Sequence, residues 1–437
     1  MRRTKLAELI VWKNAISRKP LIIKGARQVG KTWLMKEFGN TQYSQTVYLN
    51  LEKNRRLRTL FEDDFNIKRV IVALQAESGL TIRADNTLLI FDEIQAVPEA
   101  ITALKYFRED APEYHVIAAG SLLGVALHAN ISFPVGKVEF MDLYPLTFLE
   151  FLDAIGESAL VAILGSADWK LITAYKTKYI EFLRHYYFVG GMPEAVLKFA
   201  ENNSFTEVRD IQKQILLAYE QDFSKHAPIE IVPRIRMVWN SIPSQLAKEN
   251  RKFVYGLIKQ GSRAKDYELA ISWLIDCGQV HKVYRITKSG LPLKAYEDRS
   301  AFKLFLVDIG LLTAMGDIDA KTLLDGNLIF SEFKGALTEQ YVLQQLNSIN
   351  SYVINYWSAD RSTAEVDFVI QYKDLVIPIE VKAEENLQAK SLKVFHEKFS
   401  PKRSIRLSMA DYRAQDWLTN LPLYALSELN AFIDEIK

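Results

Sequence analysis

The chain has 437 residues, room for about three domains at roughly 150 residues each. Apolar residues make up 49% and charged residues 25%, with 19 glycines and 13 prolines, which excludes a collagen-like or largely disordered chain. A net charge of +2 says little about partners, and the lone Cys277 excludes a disulfide framework. No apolar run approaches the ~18 residues of a membrane span, so a cytoplasmic protein without membrane contact is expected. The charge is unevenly spread: residues 225–300 carry 14 Lys/Arg and 7 Asp/Glu, a net +7 against −5 for the remainder.

In chain order, Leu21 to Lys24 reads as a short buried strand and the residues after the next turn, through Phe38, as a helix. Between them lies Gly25-Ala26-Arg27-Gln28-Val29-Gly30-Lys31-Thr32, the pattern G-x-x-x-x-G-K-[ST] of a phosphate-binding loop. Its glycines let backbone N–H groups and the helix N-terminus face a phosphate. Residues 25–32, with Trp33 next in line, are therefore the nucleotide-binding candidates. Lys31 is expected on the β- and γ-phosphates of ATP and Thr32 on Mg²⁺.

A second apolar run, Leu88 to Phe91, ends in Asp92-Glu93. A buried strand that delivers an acid at its C-terminal end suits Asp92 to the magnesium shell and Glu93 to general-base activation of water. Pro98 opens a helix through Glu109, His115 to Ala119 forms another buried strand before Gly120-Ser121, and Val138 to Leu143 completes a sheet.

The segments GARQVGKT, FDEIQ, AGSLL and LYPLTFLEF resemble prokaryotic AAA+-type ATPases with a DUF4143 C-terminal region. The resemblance implies an α/β fold: an additional-strand P-loop sheet of order 5-1-4-3-2 with a helical lid, then a winged helix and a small restriction-endonuclease-like α/β domain. The expected divisions are an ATPase core over 1–153, a lid over 154–224, a winged helix over 225–315 and a PD-(D/E)xK nuclease-like domain over 316–437. It also implies that Ser121 is the polar residue beside the γ-phosphate, and that Gly191 and Pro193 of the lid are adenine-side contacts. Where many members have an arginine, this chain has Lys137, a poorer finger for a transferring phosphate. The sequence does not name the residue that stabilises the transferring phosphate; Arg27 and Arg108 are candidates for which a structural role is the first expectation, and a homo-oligomer in which a neighbour completes the site is expected.

Residues 231–247 and 253–260 read as helices, Arg263 to Cys277 as another, and Val280–Thr287 with Lys303–Val307 as a hairpin, the order of a winged helix. Arg263, Lys265, Lys282, Arg285 and Lys288 could neutralise DNA phosphates. Further on, a helix from Phe333 to Leu346 offers Glu339, and strands after Ser351 present Asp367 and then Glu380-x-Lys382. Residues two apart share a strand face, so the last pair points the same way. Two carboxylates and an ammonium can bind Mg²⁺ and activate water against a phosphodiester. In PD-(D/E)xK terms Glu339, Asp367 and Glu380 are metal-ligand candidates and Lys382 the catalytic lysine, with Lys390 free to touch a phosphate. The functional expectation is an ATPase coupled to a DNA-binding or DNA-processing half. The alternative is a nucleotide-driven switch whose C-terminal domains bind protein partners and do not cleave DNA.

Overall fold

A computed structural model describes residues 1–53, 58–61, 65–121, 133–248, 251–324, 331–349, 352–360, 363–385 and 388–434. The chain divides into two compact units, Arg2–Tyr144 with Asp276–Gln279, and Pro145–Ile275 with Val280–Lys437.

In the first unit, apolar runs form the parallel strands β1 (Leu21–Lys24), β2 (Gln45–Asn50), β3 (Thr87–Asp92), β4 (His115–Ala119) and β5 (Glu139–Asp142). Their spatial order is β2-β3-β4-β1-β5, the expected order with every neighbour parallel. All six residues of β3 are buried, as its unbroken apolar run requires of a central parallel strand. Helices α1 (Lys5–Asn14), α2 (Lys31–Gln42), α3 (Ile67–Ser78) and α4 (Pro98–Asp110) complete the unit. Ile67, Val70, Ile71 and Leu74 of α3 and Ile101, Leu104 and Phe107 of α4 join Leu89 and Phe91 in one core. That spacing of three and four buries one helical face. Pro98 occupies the first turn of α4, where no N–H is needed.

The second unit begins with α5 (Phe148–Ala154), α6 (Ser158–Gly165), α7 (Trp169–Ala174), α8 (Lys176–Val189), α9 (Pro193–Asn202), α10 (Phe205–His226), α11 (Val232–Leu246) and α12 (Ala264–Asp276). Thr147 and Glu150 form a reciprocal capping box at the start of α5. The expected core boundary at 153/154 thus falls inside the second unit, because α5 packs on α6 and α8. Residues 253–260 hold a single 3₁₀ turn, Tyr255–Leu257, in place of the expected helix; the Phe253 N–H donates to the Phe302 carbonyl and keeps the chain extended.

An eight-stranded mixed sheet follows. Its strands are β6 (Val280–Ile286), β7 (Glu297–Leu306), β8 (Val353–Ser358), β9 (Glu365–Tyr372), β10 (Leu375–Val381), β11 (Ser404–Ser408), β12 (Arg413–Ala414) and β13 (Leu418–Pro422), in the order β12-β13-β11-β10-β9-β8-β6-β7. Helices α13 (Ile309–Met315), α14 (Ala320–Leu324), α15 (Ser331–Ile349), α16 (Lys390–Phe399) and α17 (Leu429–Asp434) accompany it. The hairpin expected as the wing of a separate domain is built into this sheet. Tyr284, Arg285 and Ile286 pair in parallel with Asn355, Tyr356 and Trp357, across the expected 315/316 division. The apolar inner residues of β6 and β8 account for this: Ile286 and Trp357 share a core with Val366 and Phe395. Among the described residues, no helix is long and apolar enough to cross a membrane.

Candidate nucleotide-binding site and the C-terminal acid cluster

The loop after β1 is held by backbone demands that only certain residues meet. Gly25 sits at φ +146°, and a Cβ there would lie 2.2 Å from the Leu143 carbonyl oxygen. Gln28 and Gly30 also have positive φ, +66° and +94°, before α2 begins at Lys31. Alternation of this kind folds successive N–H groups into an anion-binding nest at a helix N-terminus. Lys31 is buried, and its ammonium donates to the Gly25 and Ala26 carbonyls at 2.9 and 2.8 Å. Burial lowers its pKa to about 8, against the opposing pull of Glu93 and Asp92. Ala26 and Val29 are buried, Arg27 is half-buried and Trp33 is 39% exposed at the start of α2.

Parallel pairing of β3 with β2 and β4 sets the acids at the C-terminal edge of the sheet. Asp92 Oδ2 accepts from the Thr32 hydroxyl at 2.7 Å and from the Tyr48 phenol at 2.8 Å, and Oδ1 accepts from the Glu93 N–H at 3.0 Å. Burial and the Asp92 carboxylate push the Tyr48 phenol up to about 12, so it stays a donor at neutral pH. Glu93 has φ +51°, an unfavourable region for a side chain with a Cβ. Its Oε2 accepts from Gln95 Nε2 at 2.6 Å and from the Ser121 hydroxyl at 3.4 Å. The structure therefore brings together Lys31, Thr32, Asp92, Glu93 and Ser121.

Tyr48 and Gln95 escaped sequence reasoning. The alternation of β2, with Val47 and Leu49 buried, was the available signal that Tyr48 lies on the other face. Of the finger candidates, Arg108 donates to the Arg18 carbonyl at 3.3 Å, and Lys137 pairs with Glu109 at 2.8 Å. Both contacts are structural. The free-enzyme pKa of an essential cation appears in kcat/KM. If Lys31, lowered to about 8, takes phosphate as its ammonium, kcat/KM for ATP falls as pH rises through about 8. A pH series in constant ionic strength reads this; a flat profile to pH 9.5 removes the lysine from the limb.

Gly191 and Pro193 lie in the second unit. The Gly191 N–H donates to the buried Asp308 carboxylate at 2.6 Å, and its carbonyl accepts from Leu146 N–H at 2.7 Å. A Cβ on Gly191 would come within 2.2 Å of the Leu146 oxygen, so close backbone packing accounts for the glycine. Pro193 opens α9.

The acids of the C-terminal sheet meet cations. Glu339 of α15 is 2% exposed and bonds to the Arg251 guanidinium and, at 3.3 Å, to the Lys303 ammonium. Lys303 of β7, wholly buried, also reaches Glu365 at 2.5 Å. Asp367 Oδ2 accepts from the Val381 N–H at 2.7 Å, while burial and its neighbour Glu339 push its carboxyl well up. Glu380 pairs with Lys382 at 2.8 Å, as their shared strand face predicts. Among the described residues, no three His, Cys, Asp or Glu side chains group so as to hold a metal ion. Glu339 and Asp367 are brought into direct contact, and Lys303 and Arg251 pair with Glu339. Lys303 and Arg251 were missed: a lysine inside the apolar run Ala-Phe-Lys-Leu-Phe-Leu was the signal.

The basic hairpin is also partly neutralised. Arg285 pairs with Asp298 at 2.8 Å and Asp360 at 3.2 Å, and Lys282 lies 4.1 Å from the Phe302 ring centroid. Lys288 lies over Tyr296, whereas Arg263, Lys265 and Lys390 are exposed.

A five-stranded parallel sheet in this order, with a G-x-x-x-x-G-K-T loop and a strand-end Asp-Glu, defines a P-loop nucleotide triphosphatase. Three family models match in tandem: an AAA domain over residues 17–152, a domain of unknown function (DUF8612) over 180–322, and a second (DUF4143) over 334–426. The chain thus carries an AAA-type P-loop ATPase domain followed by a DUF4143 region. No curated protein matches the sequence. Among solved structures, a Walker-type ATPase of Pyrococcus abyssi is 14% identical, with 72% of this chain and 95% of that one covered and a TM-score of 0.46. The ORC1 protein of Aeropyrum pernix in complex with DNA is 14% identical, with 73% and 93% covered and a TM-score of 0.28. C. elegans PCH-2 is 13% identical, with 46% and 60% covered and a TM-score of 0.25.

Proposed function

We propose that this ATPase hydrolyses ATP with Mg²⁺, and that its C-terminal half acts as a nucleotide-driven binding switch and does not cleave nucleic acid. The observation that carries the first part is the direct 2.7 Å contact of Thr32 with Asp92, each next in the chain to Lys31 and Glu93 respectively. A hydroxyl and a carboxylate oxygen suit a small hard cation that keeps several waters. Thr32 and Asp92 would hold a Mg²⁺ ion, which would supply charge neutralisation to the nucleotide phosphates. Lys31 would bind the phosphates once its ammonium leaves the Gly25 and Ala26 carbonyls. Glu93 takes the proton of the attacking water on its carboxylate, with Gln95 and Ser121 fixing the direction of that carboxylate. Gly191 and Pro193, packed within their own unit, are supported as structural elements of the lid more than as base contacts.

The second part rests on the Lys303–Glu339 and Arg251–Glu339 pairs, which neutralise one of the acids expected to hold a metal. Loss of hydrolysis on chelation of Mg²⁺ tests the first part. For the second, wild type incubated with plasmid and Mg²⁺ or Mn²⁺, with and without ATP, is expected to leave the DNA intact. Nicking that disappears in Asp367→Ala would overturn it.

A further inference from the structure

We infer that Arg3 is a positioning residue for the phosphate-binding loop, holding its backbone in the shape that takes ATP. The inference rests on the ATP reading of Lys31. Arg3 is 5% exposed, so its guanidinium lies within the fold. One nitrogen donates to the Tyr144 carbonyl at 2.5 Å, just beyond β5, and another to the Val29 carbonyl at 3.5 Å, inside the loop. Only an arginine side chain spans two carbonyls with separate, rigidly related N–H groups.

The position of Arg3 is itself fixed. Its carbonyl accepts from the Leu6 N–H at the start of α1, and α1 is seated by the buried Leu9 and by Trp12, whose indole N–H donates to the Lys19 carbonyl at 2.8 Å. Arg3 is thus held through its backbone at α1 and through its guanidinium at the β5 exit and the loop.

The consequence follows from peptide planarity. In a trans peptide the C=O and the next N–H point in opposite directions. With the Val29 oxygen held on Arg3, the Gly30 N–H points away from the guanidinium. Gly30 is the left-handed residue that caps α2, and its N–H is one of the donors the loop pattern offers to a phosphate. Free rotation of the 29–30 peptide would turn a carbonyl dipole toward the anion in place of a donor. A glycine on one side of that peptide makes such a flip sterically accessible, so the loop needs an outside restraint. Arg3 also adds a buried positive charge beside the loop, of the sign that favours phosphate.

The test compares full-length wild type, Arg3→Ala, Arg3→Lys and Lys31→Ala by steady-state hydrolysis of Mg-ATP and by melting without nucleotide. Arg3→Ala is expected to raise KM about tenfold or more, the size of one hydrogen bond to a charged group, with a smaller change in kcat. Arg3→Lys restores the charge but not the fork, and its KM should fall between the two. A role confined to folding would lower the melting temperature and the active fraction, leaving KM where it was. An unchanged KM in Arg3→Ala beside a Lys31→Ala that no longer binds ATP overturns the inference alone. Normal ATP binding by Lys31→Ala takes down both the inference and the reading beneath it. Should Arg3→Ala fail to fold, the Arg3→Lys KM decides: a rise supports the fork and wild-type behaviour overturns it.

Discussion

Glu93→Gln is expected to bind Mg-ATP about as tightly as wild type and to hydrolyse it about 10²- to 10⁴-fold more slowly, the range over which a positioned general base contributes. The substitution is nearly isosteric, and the side-chain oxygen can still accept from Gln95, which now reaches Oε2 at 2.6 Å. What is lost is the ability to take a proton from water. The effect should therefore fall on kcat, with ATP affinity unmoved, which is the signature of an interaction made only in the transition state. Calorimetric titration with ATP beside a phosphate-release assay separates the two quantities. An unimpaired rate would remove Glu93 from the base role. The backbone argues for the role as well: Glu93 stands at φ +51° at the end of a fully buried strand, a conformation of the kind that persists where surroundings over-determine it.

How much of this was legible in the sequence differs between the two units, for a physical reason. In the first unit the information is local. A continuous apolar run such as Thr87–Asp92 forms a buried parallel strand wherever it lies, and the G-x-x-x-x-G-K-T loop can only follow a strand and open a helix. The roles of Lys31, Thr32, Asp92 and Glu93 were readable for that reason, whereas the strand order and the place of Ser121 followed from the family resemblance. Tyr48 and Arg3 were not, since each acts through a partner 44 or 141 residues away, Asp92 and Tyr144, and neither belongs to a spaced pattern.

In the second unit most elements were readable, the helix expected over 253–260 excepted, and their assembly was not. The helix carrying Glu339 and the strands carrying Asp367 and Glu380 form near the expected residues. Whether those acids meet a metal or a cation depends on what crosses from elsewhere, and Lys303 and Arg251 come from segments expected in another domain. The same non-local pairing, β6 beside β8, joins the expected wing to the C-terminal sheet. Strand neighbours 70 residues apart leave no trace in local spacing.

That non-local cation supports the largest stability effect expected here. Lys303→Met removes a wholly buried ammonium that touches Glu339 and Glu365. Methionine fills similar volume, so the loss is chiefly electrostatic: two carboxylates lose their shared partner inside the fold. Breaking a buried pair from one side costs about 3–5 kcal/mol, and chemical denaturation followed by fluorescence would read it. Arg251 still faces Glu339, so Glu365, already raised by burial, is the more exposed to the loss. The sign with pH is fixed. Without Lys303, Glu365 takes a proton more readily folded than unfolded, so the variant's stability falls as pH rises through its raised folded pKa. The deficit relative to wild type should therefore be larger at pH 8 than at pH 5. Adding Glu365→Gln to Lys303→Met neutralises the stranded charge and should recover part of the loss, a coupling a double-mutant cycle measures directly. A Lys303→Met chain as stable as wild type at pH 8 would mean that the carboxylates find another cation. The acid cluster would then be open to a metal after all, and the non-cleaving reading would lose its support.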